Sequence, residues 1–288
     1  MIPSAARSAN FRQLLEEKCV TMPGAINALS ARLIEQMGFE AMYLSGAVLA
    51  NSVGGMADVG LMTLSESEAH SAAIARVTSI PIIADADTGY GEADNAARTV
   101  RVLEQAGVSG IHLEDQVFPK RCGHLEGKEL VEANDFCEKI TAAKAAKSSE
   151  DFVLIARTDA RGVVGIEETI RRANMYVEAG ADAVFPEGLQ SAEEFRQVAD
   201  AVDTYLLANM TEFGTTPYLS VKDFAALGYN MVIFPVTLQR TAMKAMEDVL
   251  RLIRETGSQE LHLERMQTRQ ELYDLLEYGG KVDAPAQQ

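Results

Sequence analysis

Eight short apolar runs, each followed by a segment with helical spacing, restrict the fold of this 288-residue chain more than any other feature. Apolar runs of this length are typical of strands that are buried on both faces. Their regular alternation with helical segments favours a parallel sheet covered by helices. The predicted strands occupy residues 20–22, 41–44, 80–84, 110–114, 152–156, 183–185, 205–208 and 231–234.

The number and spacing of these units predict an α/β fold, a closed (βα)₈ barrel of the TIM type. An open, doubly wound sheet is the alternative, but the glycine-rich fingerprint GxGxxG is missing after the first predicted strand. Because no Pro-, Ser- or Gly-rich linker divides residues 20–255, we expect residues 1–288 to form a single barrel domain.

Residues 258–288 differ from the rest, because a polar helical pattern follows Gly257 without another strand. Within this helical extension, Leu261, Met266 and Leu272 belong to one apolar stripe. The extension is expected to pack either on the surface of its own barrel or on a neighbouring subunit, with which it would exchange helices.

The net charge limits the partners of the chain. Lys and Arg number 26 against 42 Asp and Glu, which gives a formal net charge of −16 at pH 7. This charge repels nucleic acid and anionic membranes, so an anionic substrate would have to be bound by a few placed arginines. The three cysteines lack CxxC spacing, a pattern typical of a reducing compartment, and no secretory signal is recognisable. We therefore expect a cytoplasmic protein.

Polar residues end nearly every predicted strand. In a barrel of this type the active site lies at the carboxyl ends of the strands, so these residues are candidates for binding and catalysis. In chain order they are Ser45, Gly46, Ala47, Asp85, Asp87, Glu114, Asp115, Arg157, Thr158, Asp159, Glu187, Asn209, Thr211, Thr237 and Arg240.

Asp85 and Asp87 occupy alternate positions at the end of the third strand, and the two-residue period of a strand would point both carboxylates the same way. Adjacent carboxylates repel each other unless a cation neutralises them. Oxygen ligands suit Mg²⁺, with Mn²⁺ as a substitute, and Asp58 and Glu114 could add contacts through water. The alternative is that both aspartates cap the helix that follows.

Cys122 lies in the long connection after the fourth predicted strand, within the sequence KRCGH at residues 120–124. The neighbouring cations favour a thiolate, so Cys122 is a candidate proton donor or nucleophile, with an ordinary loop thiol as the alternative. Zinc is disfavoured, because further Cys or His residues are missing at ligand spacing. Arg157, Arg240 and Arg269 could bind carboxylates as bidentate donors, although Arg269 could equally be a solvated helix position.

Several short motifs are distributed along residues 10–278. They are KRCGH at 120–124, LEDQ at 113–116, DAD at 85–87, LSG at 44–46, ARTDA at 156–160, ANMTEFG at 208–214 and MQTRQELY at 266–273. Together these motifs resemble the isocitrate lyase and phosphoenolpyruvate mutase superfamily. KRCGH is typical of the branch that cleaves carbon–carbon bonds, whereas DAD is shared by the whole superfamily.

This resemblance implies Mg²⁺-dependent cleavage of 2-methylisocitrate to pyruvate and succinate, a step of the methylcitrate cycle in propionate catabolism. It also implies a homotetramer in which C-terminal helices are exchanged between subunits. Cleavage of 2,3-dimethylmalate, hydrolysis of oxaloacetate and phosphonomutase chemistry are the alternatives within the superfamily. A barrel that binds dicarboxylates without turnover is the alternative that is not an enzyme.

The resemblance further implies roles for individual residues. Cys122 is expected to donate a proton, with its thiol tuned by Lys120, Arg121 and His124, while the base is left open among Tyr43, Arg157 and Glu114. The expected metal ligands are Asp85 and Asp87, supported by Asp58 and Glu114. The expected substrate contacts are Ser45, Gly46, Ala47, Cys122, Gly123, Arg157, Glu187, Asn209, Met210, Thr211, Arg240 and Arg269.

Overall fold

Parallel strands form a barrel with helices outside it, as the alternation of apolar runs predicts. The computed structural model describes residues 4–123, 125 and 127–279, and within them eight strands pair in the order β1-β8-β7-β6-β5-β4-β3-β2. A parallel bridge between Gly24 and Tyr43 joins β1 to β2 and closes the ring. The strands are β1 Val20–Pro23, β2 Met42–Leu44, β3 Ile82–Asp85, β4 Gly110–Glu114, β5 Val153–Thr158, β6 Ala183–Pro186, β7 Tyr205–Asn209 and β8 Met231–Phe234.

The helices lie between the strands and cover the outside of the barrel. Before several strands, a glycine with positive φ ends the helix; Gly107, for example, has φ 100° at the end of α5 and turns the chain back towards β4. The helices are α1 Ser4–Glu17, α2 Ala28–Gln36, α3 Gly46–Ser52, α4 Leu64–Ala75, α5 Ala93–Ala106, α6 Ala133–Ala146, α7 Ile166–Glu178, α8 Ala192–Ala201, α9 Val221–Ala226, α10 Thr237–Thr256 and α11 Arg269–Leu275.

Helix α1 precedes the first strand and packs against the core inside the barrel. Its Phe11, Leu14 and Leu15 are buried together with strand residues such as Met22 and Val153. Removing these side chains from water stabilises the fold by about 1.5–3 kcal/mol each. The amino-terminal helix therefore belongs to the barrel domain itself.

Apolar clusters lie on both faces of the sheet, whereas the carboxyl ends of its strands carry polar side chains. Inside the barrel, Tyr43, Ile83, Ile155 and Phe185 pack together, and separate apolar clusters fill the space between strands and helices. Because all pairings are parallel, the carboxyl ends of all eight strands meet at one edge of the described barrel. The predicted site residues that end strands lie at this edge.

The carboxyl-terminal part of the described chain runs along the surface and returns to its own barrel, where Arg32 of α2 donates to the carbonyl of the buried Leu275 at 3.4 Å. Helix α10 extends over 20 residues, none of them fully buried, and is followed by a 3₁₀ segment, Glu260–Arg265, and by α11. Of the extension predicted for residues 258–288, residues 280–288 lie outside the described range. Among the described helices, none combines the length and the apolar composition that crossing a bilayer requires.

Candidate active site

A cavity of about 850 Å³ opens at the carboxyl ends of the strands. Its wall combines carboxylates, an arginine, a thiol and several apolar side chains, which is the composition expected of a site for a small polar ligand. Residues from six strand ends and from α10 contribute to it. The predicted site residues in the lining are Tyr43, Ser45, Ala47, Asp58, Asp85, Cys122, Gly123, Arg157, Glu187, Asn209, Thr211 and Arg240.

Asp85 lines this cavity, and Asp87 lies beside it. The Asp85 carboxylate accepts hydrogen bonds from the backbone N–H groups of Gly46 (3.0 Å) and Asp87 (3.0 Å). A Cβ added to Gly46 would lie 2.8 Å from Asp85 Oδ2 and 3.5 Å from Asp87 Oδ1, so both carboxylates border the space that this glycine leaves open.

The expected reason for this pairing was wrong, although the pairing itself is present. Strand β3 ends at Asp85, and Asp87 has φ 46° in the left-handed region, so the two-residue period of a strand does not apply to it. The turn, rather than the strand, brings the second carboxylate back towards the first. Backbone strain of this kind in a residue other than glycine is common at functional sites.

Lys120 is the cation nearest to these acids. Its buried ammonium group lies 2.5 Å from Asp58 Oδ1 and 2.9 Å from Asp87 Oδ1. The acids of the site, chiefly Glu114, raise the pKa of Lys120 by more than burial lowers it, so the side chain is charged. The sequence assigned Lys120 to tuning the thiol of Cys122, whereas in the structure its ammonium group is paired with two carboxylates.

The two aspartates differ in their affinity for a proton. Burial opposes ionisation of Asp85, but His112, Lys120 and Arg157 outweigh it and lower its pKa to about 2. Because burial lowers the pKa of His112 itself to about 4, this imidazole is neutral near pH 7, and we attribute the effect to the lysine and the arginine. Burial raises the pKa of Asp87 to about 6, with the charge of Asp85 adding to the increase.

Arg157 is held among three acids at the end of β5. Asp159 binds it at two points, with Nε at 2.9 Å and Nη2 at 3.2 Å from the carboxylate oxygens. Nε also lies 3.3 Å from Glu114, and Nη2 lies 3.6 Å from Glu187. The guanidinium group stacks over the Phe185 ring at 5.1 Å. This arginine is therefore fixed in position before any ligand binds.

The connection that contains Cys122 packs over this arginine. A Cβ on Gly123 would collide with Glu187 Cγ, Arg157 Nη2 and Asp159 Oδ1, so only glycine allows the backbone to come this close. The ammonium group of Lys128 donates a hydrogen bond to the Gly123 carbonyl. Cys122 thus lines the same cavity as Asp85 and Arg157. His124, predicted to act beside the thiol, lies outside the described residues.

Tyr43 lies deeper, on β2, where its hydroxyl group is 2.7 Å from Nε2 of His112. Burial raises the pKa of Tyr43 well above its usual value. The two rings stack with centroids 5.8 Å apart, and Phe185 meets the edge of the imidazole. Tyr43 and Phe185 line the cavity with His112 buried between them, and Tyr43 keeps its proton near neutral pH.

The other predicted contacts divide into those that reach the cavity and those that do not. Asn209 donates to Glu187 at 3.1 Å, and Arg240 donates to the Glu212 carbonyl and stacks over the ring of Phe213. Met210 is instead buried in the outer core, and Arg269 is exposed at the start of α11, away from the cavity lining of this chain.

Several groups at the site escaped the sequence analysis. Phe185 and Phe213 were not singled out, and neither were Gln239 and Lys244, which come from α10 rather than from a strand end. Asp159 was noted only as a strand-end residue, although its spacing of two from Arg157 was a usable signal for an ion pair. For Lys128 no local signal existed, because its contacts depend on the path of the connection.

The arrangement fits a hard divalent cation that keeps water and substrate oxygens as ligands. Among the described residues, no three His, Cys, Asp or Glu side chains are arranged to enclose a metal by themselves. Mg²⁺ needs only one or two carboxylates, and buried oxygens are available for it. Within the described range, neither Glu114 oxygen accepts a hydrogen bond, and neither does Asp87 Oδ1 beyond its ion pair with Lys120.

Fold and site together define a (βα)₈-barrel enzyme with an acidic, arginine-containing cavity at the carboxyl edge of its strands. The family model for phosphoenolpyruvate phosphomutase matches residues 11–254, and the chain belongs to this family. The match covers the whole barrel and confirms the superfamily that the motifs of the sequence resemble.

Known relatives match over nearly the full chain. A 2-methylisocitrate lyase of Aeropyrum pernix is 53% identical over 93% of this chain and 86% of its own length. A probable 2-methylisocitrate lyase of Corynebacterium glutamicum is 50% identical over 96% of this chain and 90% of its own. A crystal structure of 2,3-dimethylmalate lyase, a PEP mutase/isocitrate lyase superfamily member, superposes with a TM-score of 0.89 at 38% identity, covering 97% and 92% of the two chains.

Proposed function

We propose that this chain is a cytoplasmic, Mg²⁺-dependent carbon–carbon lyase that cleaves 2-methylisocitrate to pyruvate and succinate. Two relatives that bear this activity in their names, at 53% and 50% identity, support the substrate. The observation that supports the reaction is that Cys122, Asp85 and Arg157 line one cavity. A proton donor, a metal-binding carboxylate and a carboxylate-binding cation are thereby within reach of a single small molecule.

The reaction requires one proton to leave and one to arrive. The hydroxyl group on C2 of the substrate loses its proton, and the C2–O bond becomes the carbonyl group of pyruvate. The electron pair of the C2–C3 bond stays on C3, which receives a proton and becomes a methylene carbon of succinate. A base and an acid on different sides of the bond therefore suffice, and no oxidant or reductant is consumed.

Asp85 and Asp87 would hold Mg²⁺, with Asp58 and Glu114 beside them. When bound, the metal supplies positive charge for the oxygen atoms of the substrate's 2-hydroxy acid group. This charge is needed because the carboxylates of the site outnumber its buried cations, Lys120, Lys128 and Arg157. An anionic substrate would otherwise meet net repulsion.

Of the three residues considered as the base, Glu114 is the only carboxyl group, and it can act as a base only in its ionised form. Burial keeps Tyr43 protonated, and Asp159, Glu114 and Glu187 raise the pKa of Arg157 despite its burial. Burial raises the pKa of Glu114 well above its usual value, whereas Arg157 and Lys120 lower it, and a divalent cation held nearby would further favour the ionised form. Because Glu114 does not line the cavity, it would reach the substrate hydroxyl group only through a bridging water.

A steady-state comparison of substrates tests this function. With Mg²⁺ present, we expect kcat/KM for 2-methylisocitrate to exceed that for isocitrate by about tenfold or more, because one methyl group in an apolar pocket contributes ~10–200-fold. Phe185, Ile233 and Pro235 in the cavity wall can contact such a group. Chelating the metal should abolish turnover.

The same comparison includes 2,3-dimethylmalate and oxaloacetate. The superposition on 2,3-dimethylmalate lyase makes that substrate the second candidate. A higher kcat/KM for either compound would overturn the proposed substrate while preserving the lyase or hydrolase class. Lack of turnover of all four compounds would refute the enzyme assignment itself.

We further propose a homotetramer in which the C-terminal helices pack on neighbouring subunits. Helix α10 has no buried residue, and its Met246, Leu250 and Ile253 are 46%, 64% and 43% exposed along one stripe. Beyond it, Leu261 is 82% exposed. A row of exposed apolar groups marks an interaction surface. We assign this surface to a second copy of the chain, because in a symmetric homo-oligomer the same helix of each subunit can pack on its counterpart. Arg269, at the start of α11, would then face a neighbouring site.

Charges placed on this stripe should break the assembly. For the double variant Met246→Asp, Leu250→Glu we expect a smaller particle than the wild-type tetramer in light scattering, because burying a carboxylate in an apolar interface is unfavourable. Glu255→Lys changes an exposed position on another face of α10 and should leave the mass unchanged. A wild-type monomer, or a double variant with wild-type mass, would contradict the proposed interface.

A further inference from the structure

A buried polar cluster lies on the outer side of the strand ends, behind the cavity. We define the Asp115 cluster as Asp115, Arg172 and Tyr176. Asp115 is fully buried after β4, and its Oδ2 accepts hydrogen bonds from the Tyr176 hydroxyl group (2.7 Å) and from Arg172 Nη1 (3.2 Å). Arg172 Nη1 also donates to the Tyr176 hydroxyl group at 3.1 Å. The proposed reaction uses none of these residues, and none of them lines the cavity.

Helix α7 and its neighbours fix this cluster in place. Arg172 donates to the Val131 carbonyl at 2.9 Å, so it also ties down the segment that leads from the Cys122 connection into α6. The Tyr176 ring packs edge-on against Phe136, with centroids 4.7 Å apart. Since each member has several fixed partners, the Asp115 carboxylate has one defined orientation.

The Asp115 carboxylate also binds the end of strand β5. Thr158 Oγ1 donates to Asp115 Oδ2 at 2.7 Å, and the backbone N–H of Asp159 donates to Oδ1 at 3.0 Å. Asp159 has φ −95° and ψ 13°, in the sparsely populated bridge region. The hydrogen bond from its N–H group thus stabilises a backbone conformation that the strand would not adopt by itself.

Asp159 connects the cluster to the active site. Its backbone faces Asp115, while its side chain binds Arg157 through the paired contacts at 2.9 and 3.2 Å. Arg157 in turn lines the cavity. A rotation of the Asp159 peptide would therefore displace the carboxylate that orients the guanidinium group.

We propose that Asp115, Arg172 and Tyr176 are positioning residues, which act through Asp159 to set the orientation of Arg157 towards the substrate. This inference rests on the proposed lyase reaction, because it assigns Arg157 to substrate binding. It adds two residues of α7, Arg172 and Tyr176, to those that support the active site. A catalytic arginine displaced by a fraction of an ångström binds the transition state less well, even when the fold is intact.

Tyr176→Phe tests the proposal with the smallest change, because the ring and its packing on Phe136 remain. We expect kcat/KM for 2-methylisocitrate to fall about tenfold, the usual effect of losing one hydrogen bond to a charged group. Arg161→Gln is the matched control. Arg161 lies in the same β5–α7 connection but binds Glu194 and Gln190, so its kcat/KM should equal that of the wild type.

A double-mutant cycle separates positioning from general stability. In the Asp159→Asn background, Tyr176→Phe should lower kcat/KM by no more than about twofold, because the path to Arg157 is already interrupted. A further tenfold loss in this background would overturn the proposal, and so would wild-type kcat/KM in the Tyr176→Phe single variant. If Tyr176→Phe does not fold, Thr158→Val removes another donor to Asp115 and is subjected to the same cycle.

Measuring the wild-type enzyme separates this test from the test of the proposed function. Turnover of 2-methylisocitrate by the wild type decides the function, whereas the ratio of variant to wild type decides the role of the cluster. If another compound of the substrate comparison is the one turned over, the cycle is measured with that compound. Additive effects there would still contradict a positioning role.

Discussion

Asp85→Ala is expected to abolish Mg²⁺-dependent turnover, with a decrease in kcat of at least about a thousandfold, the scale of losing a group that stabilises developing charge. Asp85 is the most acidic carboxylate of the pair, with its pKa lowered to about 2, and it borders the cavity directly. Without Asp85, the negative charge of Asp87 is neutralised by its ion pair with Lys120, and too little negative charge remains to bind a divalent ion. Asp87→Ala should have a similar effect, because Asp85 would then be the single remaining carboxylate of the pair.

Metal titration distinguishes this explanation from misfolding. Mn²⁺ binding followed by electron paramagnetic resonance should be lost in Asp85→Ala, whereas the melting temperature should change by only a few degrees. Asp203→Ala, an exposed carboxylate beyond the amino-terminal end of β7, serves as the control and should retain both metal binding and turnover. Wild-type Mn²⁺ affinity in Asp85→Ala would refute the assignment of the metal site.

The barrel was predictable because its strands are short, apolar and buried on both faces. All eight predicted strands are present in the described residues, and their ends shift by no more than about two positions, within the usual uncertainty of element boundaries. Helix α1 was missed because its pattern is not amphipathic. Arg7 and Ser8 are buried beside Phe11, and Arg7 donates to the carbonyls of Ala75 and Thr78 rather than facing water.

The site was predictable where its residues end strands and not where tertiary contacts place them. Arg157 and Asp85 follow from strand ends, since parallel strands bring their carboxyl ends to one edge. The partner of Lys120 did not follow, because its contact with Asp58 joins two loops that are 62 positions apart. Arg172 lies 57 positions from Asp115 and shows no local motif, so only the packed structure relates it to the site.

Cys122→Ser is expected to lower kcat by two or more orders of magnitude while Mg²⁺ binding stays intact. A thiol releases its proton near pH 8.5, whereas a hydroxyl group of similar size is a far weaker acid, and a positioned proton donor contributes ~10²–10⁴-fold. The substitution preserves the glycine that follows, whose backbone packs on Arg157, so the path of the connection should persist. Steady-state kinetics and Mn²⁺ titration measure the two quantities separately.

The other two cysteines supply the control for this result. Cys137 lies half-buried on α6, where its thiol contacts the Met175 carbonyl, and Cys19 precedes β1 with its pKa raised to about 11 by burial. Serine at either position leaves the cavity lining unchanged, and turnover should be close to that of the wild type. Near-normal kcat in Cys122→Ser would remove this thiol from the reaction. The proton for C3 would then have to come from another acid of the cavity, and Tyr43, which burial keeps protonated on β2, would be the first to substitute.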